Sequence, residues 1–282
     1  MSGFRTKLLA ALAAVALAAV GAVFTPLGEK VANAIWPDSP EETPAPVLSD
    51  GKLVPNQPCR PGGPPLSLAL SYDFEAPGST WWATAENLPS ILPALNANNE
   101  FDPDKVLAKY QPVRSQYNAG TPLKLIATGC GPEPVVIKNM YAEVTKRAAP
   151  LSGTLVWHPP AGNLDITAVG FDLDTPKPRA RTYDGLENKL GGDFFAKKVV
   201  QVAPGEAVPM SIEGLTKRSY LEWSIAVEAL VNGQPWNISV LLPGDKLIRS
   251  TAAVPAYRSV YHLDSGNGVY IPFDPKDPWG GI

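Results

Sequence analysis

One stretch, SYLEWSIAVEALVNGQPWNISVLL, constrains the fold of this chain more than any other. Leu221, Trp223, Ile225, Val227, Ala229 and Val231 occupy every second position, with Glu222, Ser224 and Glu228 between them. Successive strand residues point to opposite faces, so this spacing puts the apolar side chains on one buried face. Asn232-Gly233 follows, the dipeptide best suited to the two positive φ angles of a type I′ hairpin turn. Trp236, Ile238, Val240 and Leu242 resume the apolar face on the return. Pro235 has no N–H to give a ladder, which predicts an edge strand or a bulge beside the turn.

The same period recurs upstream. In LSLALSYDF, Leu66, Leu68, Leu70, Tyr72 and Phe74 alternate with Ser67, Ala69, Ser71 and Asp73. TPLKLIATGC, VVIKNMYAEV, LDITAVGFDLD and FFAKKVVQV add strand candidates. One helix is expected in FDPDKVLAKY, with Asp102 as cap, Pro103 in the first helical position, and Val106, Leu107 and Tyr110 on one face. Roughly eight to ten strands without strand–helix alternation predict a mainly β fold, an antiparallel β-sandwich. An immunoglobulin-like arrangement is one such sandwich. The expected domain spans residues 58–265, with 266–282 as a C-terminal tail. A split near residue 149, at APLSG, into two smaller sandwiches is the alternative.

The N-terminus decides the compartment. Arg5 and Lys7 precede Leu8–Phe24, seventeen residues without a charge. As a helix this segment would reach roughly 26 Å, slightly less than the ~30 Å hydrocarbon core. It is long for the apolar core of a cleaved signal and short for a span. Ala32-Asn33-Ala34 offers a peptidase site after Ala34, yet it lies ten residues beyond Phe24. Phe24, Leu27, Val31 and Ile35 continue at helical spacing, and Trp36 suits the interface. Residues 1–36 are therefore expected as a signal-anchor or transmembrane helix, contacting the membrane through Leu8–Phe24. Basic residues before it and Asp38, Glu41 and Glu42 after it keep the N-terminus cytoplasmic and export the rest. Cleavage after Ala34 would instead secrete the chain. Nine prolines fall between Pro37 and Pro65, and residues 37–57 are expected as a Pro-rich extracytoplasmic tether.

Cys59 and Cys130 are the only cysteines. In an exported chain they predict a disulfide. Net charge is −3 and no basic run is longer than a pair, which argues against nucleic acid as a partner. The two histidines are His158, in LVWHPPAG, and His262. Both are expected at the surface or in loops. Ser259 and Asp264 flank His262, but alternation puts residues 259 and 262 on opposite faces. There is no G-x-S-x-G elbow and no H-E-x-x-H, and no cofactor is implied. Asp172 and Asp174 share a strand side and would suit Ca²⁺ only if a loop added oxygens. A solvated face neutralised by Arg179 and Arg181 is the preferred reading. Trp223 and Trp236 are expected in the core, and Trp279 as accessible or as a docked arm. In Trp81-Trp82, strand geometry turns one indole in and the other out, so this pair is the candidate binding surface.

From Val135 onward the order of phrases is distinctive: VVIKNMYAEVTKRAAPLSGTLVWHPPAG, GFDLDTP, a Phe-rich strand, then RSYLEWSIAVEALVNGQ. In this the chain resembles uncharacterised exported or membrane-anchored proteins of high-GC Gram-positive bacteria, over about residues 120–262. The resemblance implies an exported β domain behind one apolar segment and carries no activity.

The expected function is a membrane-tethered extracytoplasmic binding or structural module, with a cell-envelope protein as partner. The alternative is an extracytoplasmic hydrolase whose site is assembled from distant residues around His158, with Asp172.

Overall fold

The structure is a computed structural model that describes residues 59, 63–74, 80–97, 102–116, 120–159, 167–185 and 187–280. The expected helix over Leu8–Phe24 and the tether lie outside these residues. Among the described residues no helix is long and apolar enough to cross a membrane.

The chain is mainly β. Its first strands are β1 (Leu66–Tyr72), β2 (Thr80–Thr84), β3 (Val113–Gln116), β4 (Thr121–Gly129) and β5 (Val135–Ala148). The middle of the chain forms β6 (Thr154–His158), β7 (Thr167–Asp172), β8 (Arg181–Asp184), β9 (Lys189–Asp193), β10 (Val200–Val202) and β11 (Ala207–Leu215). Last come β12 (Tyr220–Val231), β13 (Gln234–Val240), β14 (Ile248–Thr251), β15 (Ser259–Asp264) and β16 (Val269–Pro272). Two short helices, α1 (Leu92–Ala97) and α2 (Pro103–Leu107), lie between β2 and β3.

The described residues form three sheets, and two of them share one core. The first runs β1-β4-β11-β7-β8-β9, and the second β10-β5-β12-β13 with β14 also paired to β12. Leu68, Leu70, Leu125, Phe171 and Ile212 from the first meet Ile137, Met140, Trp223, Ile225 and Val240 from the second. Trp223 anchors this layer, fully buried and edge-on to Phe171 at 6.0 Å. Gly214 makes room for it, because a Cβ there would lie 2.4 Å from Cζ2 of the indole. The predicted hairpin forms as read: Asn232 and Gly233 take φ of 50° and 73° between β12 and β13. β13 is an edge strand, which accommodates Pro235.

The third sheet, β16-β15-β6-β2-β3, was not foreseen. It gathers strands from three distant parts of the chain, so the backbone passes repeatedly between this sheet and the sandwich. β5 ends at Ala148 in the sandwich and β6 opens at Thr154 in the third sheet, while β7 returns. The turn near residue 149 therefore links two sheets of an interwoven structure. Among the described strands two pairings are parallel, β11 with β7 and β15 with β6. The sheets are thus mixed, where alternation alone had suggested purely antiparallel pairing. Alternation reports which face is buried and is silent on strand direction.

Both faces of the third sheet are covered. On one, Trp82, Val156, Tyr261 and Tyr270 pack with Leu88, Ile91, Leu95 and Leu107 from the α1–α2 region. On the other, Trp81, Ala83, Leu155 and Val260 pack with Tyr257, Trp157, Phe273 and Trp279. The described part of the expected tail, residues 266–280, thus supplies an edge strand, β16, and a covering layer. Trp279 lies edge-on to Trp81 at 5.8 Å and donates its indole N–H to the Val254 carbonyl at 3.2 Å.

Cys59 and Cys130 form the expected disulfide, with Cα atoms 5.1 Å apart and a separation of 71 positions in sequence. A loop of that length is worth on the order of 4 kcal/mol in the chain-entropy account. The bridge fastens the segment before β1 to the end of β4, where the Cys130 N–H also donates to the Pro65 carbonyl at 2.8 Å.

Candidate functional site

The helix predicted from FDPDKVLAKY is α2. Asp102 caps it by accepting the Asp104 N–H at 3.0 Å, Pro103 opens it, and a 3-10 turn over Ala108–Tyr110 continues it. The cap fixes Asp104 over the third sheet. One Asp104 oxygen accepts the Trp82 indole N–H at 2.7 Å and the other accepts the Arg114 guanidinium at 3.0 Å. Burial lowers the pKa of Arg114, and the nearby Asp104 and Asp102 carboxylates oppose that shift.

Arg114 also belongs to an aromatic stack. Its guanidinium carbon is 4.9 Å from the Trp82 ring centre and 4.1 Å from that of Phe74. Phe74 stacks on Tyr72 at 5.2 Å with an interplanar angle of 22°. Indole, guanidinium, phenyl and phenol thus form a ladder from the third sheet to the end of β1. Guanidinium–ring contacts of this kind are worth about 0.5–2 kcal/mol each, more as water is excluded.

At the far end of the ladder lies Arg249 of β14. Its backbone N–H donates to the Tyr72 hydroxyl at 3.3 Å. Its guanidinium donates to the carbonyls of Gln111 and Pro112, each at 3.1 Å. Gln111 presents its carbonyl from a left-handed backbone conformation, φ 49°. Both acceptors are neutral and orient the guanidinium without cancelling its charge; the carboxylate opposite it across β12 and β14, Glu222, is itself paired with Lys146 at 2.9 Å. Burial raises the Tyr72 pKa, with Arg249 acting the other way.

These groups border a half-open cleft of about 390 Å³ at the junction of sandwich and third sheet, lined in part by Tyr72, Phe74, Asp104, Arg114 and Arg249. Its lining carries two guanidiniums against one carboxylate, and that carboxylate has both oxygens engaged. Arginine keeps its proton at any physiological pH. The cleft is therefore equipped to hold an anion by charge and hydrogen bonds and poorly equipped to move protons.

The residues singled out from sequence fare differently. Trp81 and Trp82 lie on opposite faces of β2, as alternation requires, but each is only 3% exposed. The expectation that one would face solvent fails because the sheet is covered on both sides. Trp82 still reaches the cleft indirectly, through Asp104 and Arg114. His158, half-buried at the end of β6, sits with Nδ1 3.0 Å from the Pro159 carbonyl. Asp172 closes β7 in a different sheet, its carboxylate accepting the Asp174 N–H at 3.2 Å.

His262, expected at the surface, is buried. It stacks on Phe273 at 3.9 Å, and its Nε2 lies 3.0 Å from the Pro278 carbonyl. Burial lowers its pKa. Asp174 accepts the Thr216 hydroxyl at 2.9 Å and the Lys217 N–H at 2.7 Å, with Arg147 at 3.8 Å. Its counter-charge thus comes from β5, and Arg181 turns instead to the Gly191 carbonyl at 2.7 Å. Among the described residues no three potential metal ligands gather.

Sequence reading missed Arg114, Arg249 and Asp104, which no motif marks. Tyr72 and Arg249 are 177 residues apart. It also missed Glu213 of β11, 9% exposed, with Oε2 lacking a hydrogen-bond partner. Burial, aided by the nearby Asp73 carboxylate, pushes its pKa well above the usual carboxylate range.

No family profile, curated protein or solved structure matches the chain.

Proposed function

We propose that the chain is a membrane-tethered extracytoplasmic binding module. Leu8–Phe24 holds it in the bilayer with the N-terminus cytoplasmic, residues 37–57 space the β domain from the surface, and the domain engages a cell-envelope protein. The likeness to exported proteins of high-GC Gram-positive bacteria supports this setting. The disulfide agrees with an oxidising compartment.

The observation that carries the binding reading is the preformed cleft beside Arg249. Its charged side chains are fixed by backbone carbonyls and by Asp104 before any ligand arrives, and preorganisation of this kind lowers the cost of binding. The cleft lies where β1 runs out, at an end of the sandwich. Immunoglobulin-like sandwiches, the finer class we assign to the two-sheet core, also recognise partners from their strand-end loops. A hydrolase centred on His158 is not adopted, since its ring turns to a neighbouring carbonyl and Asp172 lies in another sheet.

The experiment is crosslinking of the full-length protein in its native membrane, wild type beside Arg249→Gln. A partner captured by the wild type and lost from the variant supports the proposal. An identical set of captured proteins overturns the role of the cleft. A C-terminal reporter active only in the cytosol tests the topology and should stay dark.

A further inference from the structure

We infer that the ligand group taken by this cleft is a single carboxylate, with a flat group next to it lying on the outer face of Tyr72. This deepens the binding reading above and rests on it. Three features of the site carry it.

Charge comes first. Two guanidiniums and one carboxylate line the cleft, and Glu222, which stands opposite Arg249 across β12 and β14, is paired with Lys146 at 2.9 Å, so one positive charge is left over for a monoanion to cancel. A phosphate brings roughly −1.5 to −2 charges at neutral pH and would have to enter beside the fixed Asp104 carboxylate.

Donor geometry comes second. A guanidinium has five N–H donors in a planar fork that matches a carboxylate edge. Arg249 commits two of them to the Gln111 and Pro112 carbonyls, and the Tyr220 hydroxyl lies within reach of a third. Those bonds set the plane of the fork and leave further donors for an incoming oxygen pair.

The third feature is the aromatic wall. Tyr72 is 36% exposed, among the most exposed large hydrophobic side chains. One face of its ring is stacked on Phe74, which leaves the other for a flat ligand group. Offset stacking of two rings adds to the affinity beyond what area burial supplies. A volume of about 390 Å³ accommodates a group the size of one large amino-acid residue and little more. The C-terminal residue of a protein, ending in a planar amide, an aromatic ring and a free carboxylate, combines all three requirements.

The test is a ligand-observed NMR titration of full-length protein in detergent micelles at constant ionic strength. The probes are N-acetyl-phenylalanine, its C-terminal amide, glucuronate and inorganic phosphate. N-acetyl-phenylalanine should bind saturably and at least tenfold more tightly than the amide, a comparison that needs no variant. Arg249→Gln should abolish that preference, and Tyr72→Ala should weaken binding several-fold while retaining it. Equal binding of acid and amide overturns the inference, as does phosphate binding more tightly than the acid. Glucuronate binding better than N-acetyl-phenylalanine would overturn the peptide source and assign the site to an acidic sugar. If no carboxylate binds while a membrane partner still depends on Arg249, the carboxylate assignment falls and the binding module stands.

Discussion

Glu213 offers a stability experiment whose sign follows from its surroundings. It sits on β11 between Pro122 of β4 and Gly170 of β7. The neighbouring residues Ile212 and Gly214 face the sandwich core, so Glu213 points to the outer side of that sheet, where it is nevertheless buried. Among the described residues no cation compensates it: its raised pKa comes from burial first and the Asp73 carboxylate second. The folded protein therefore keeps this carboxyl protonated above the pH at which the unfolded chain releases the proton. Below the unfolded pKa both states hold the proton and stability is undiminished. As pH rises toward the folded value, the unfolded state alone ionises and folding loses about 1.4 kcal/mol per pH unit.

Replacing Glu213 by Gln, which cannot ionise, removes that slope. The variant should gain on the wild type as pH rises from 5 toward 7, by at most about 1.4 kcal/mol per pH unit. The gain saturates once pH passes the folded pKa. Chemical denaturation at half-unit pH steps, followed by tryptophan fluorescence, measures the difference directly. An amide in a buried site carries its own constant cost, so only the change with pH is diagnostic. A difference that stays flat from pH 5 to pH 7 refutes the reasoning. A difference that shrinks with pH would mean that Glu213 is a paired carboxylate.

Three further outcomes are expected. Asp104→Ala strips the partner from the Trp82 indole and the part-buried Arg114 guanidinium and should cost about 2–3 kcal/mol in chemical denaturation, less than for a fully buried pair because both ends touch solvent. Gly214→Ala drives a methyl into the Trp223 ring and should cost about 1–3 kcal/mol or more, with altered near-ultraviolet circular dichroism from a displaced indole. Asn96→Ala removes the amide that both donates to the Tyr270 carbonyl at 3.0 Å and accepts its N–H at 2.7 Å; it should lower stability by about 1 kcal/mol and raise concentration-dependent association in sedimentation.

The parts of the fold legible in sequence were those with one buried face. β1 and the β12–β13 hairpin kept their period because the outward side chains met water or polar neighbours. The cap of α2 was legible because Asp-Pro is a local signal. The third sheet was not. In TWWAT every residue is buried, since helices cover one face and the C-terminal segment the other. A strand packed on both sides has no alternation to read. The rule that one of two adjacent tryptophans must face solvent failed for the same reason. The cleft was illegible on different grounds: its residues come from the end of β1, from α2, from β3 and from β14, and only tertiary contact defines them.

Edge strands offer a further reason to look to the cleft. A sheet edge with free N–H and carbonyl groups invites a partner strand, and three of the edges are obstructed. β13 carries Pro235, which cannot donate. On β9, Gly191 and Gly192 stand opposite Thr182 alone, a bulge that bends the edge out of register. On β16, Val269 and Ile271 are 38% and 41% exposed and would favour a strand partner, yet the Asn96 amide already pairs with the outward peptide groups of Tyr270. Each device costs the domain some ladder pairing and keeps other strands away. Recognition by strand addition is thereby discouraged at these edges, while the guanidinium of Arg249 stands oriented in an open cleft. If Asn96→Ala gained association through β16 while Arg249→Gln lost the native partner, edge and cleft would be separated as a blocked surface and a used one.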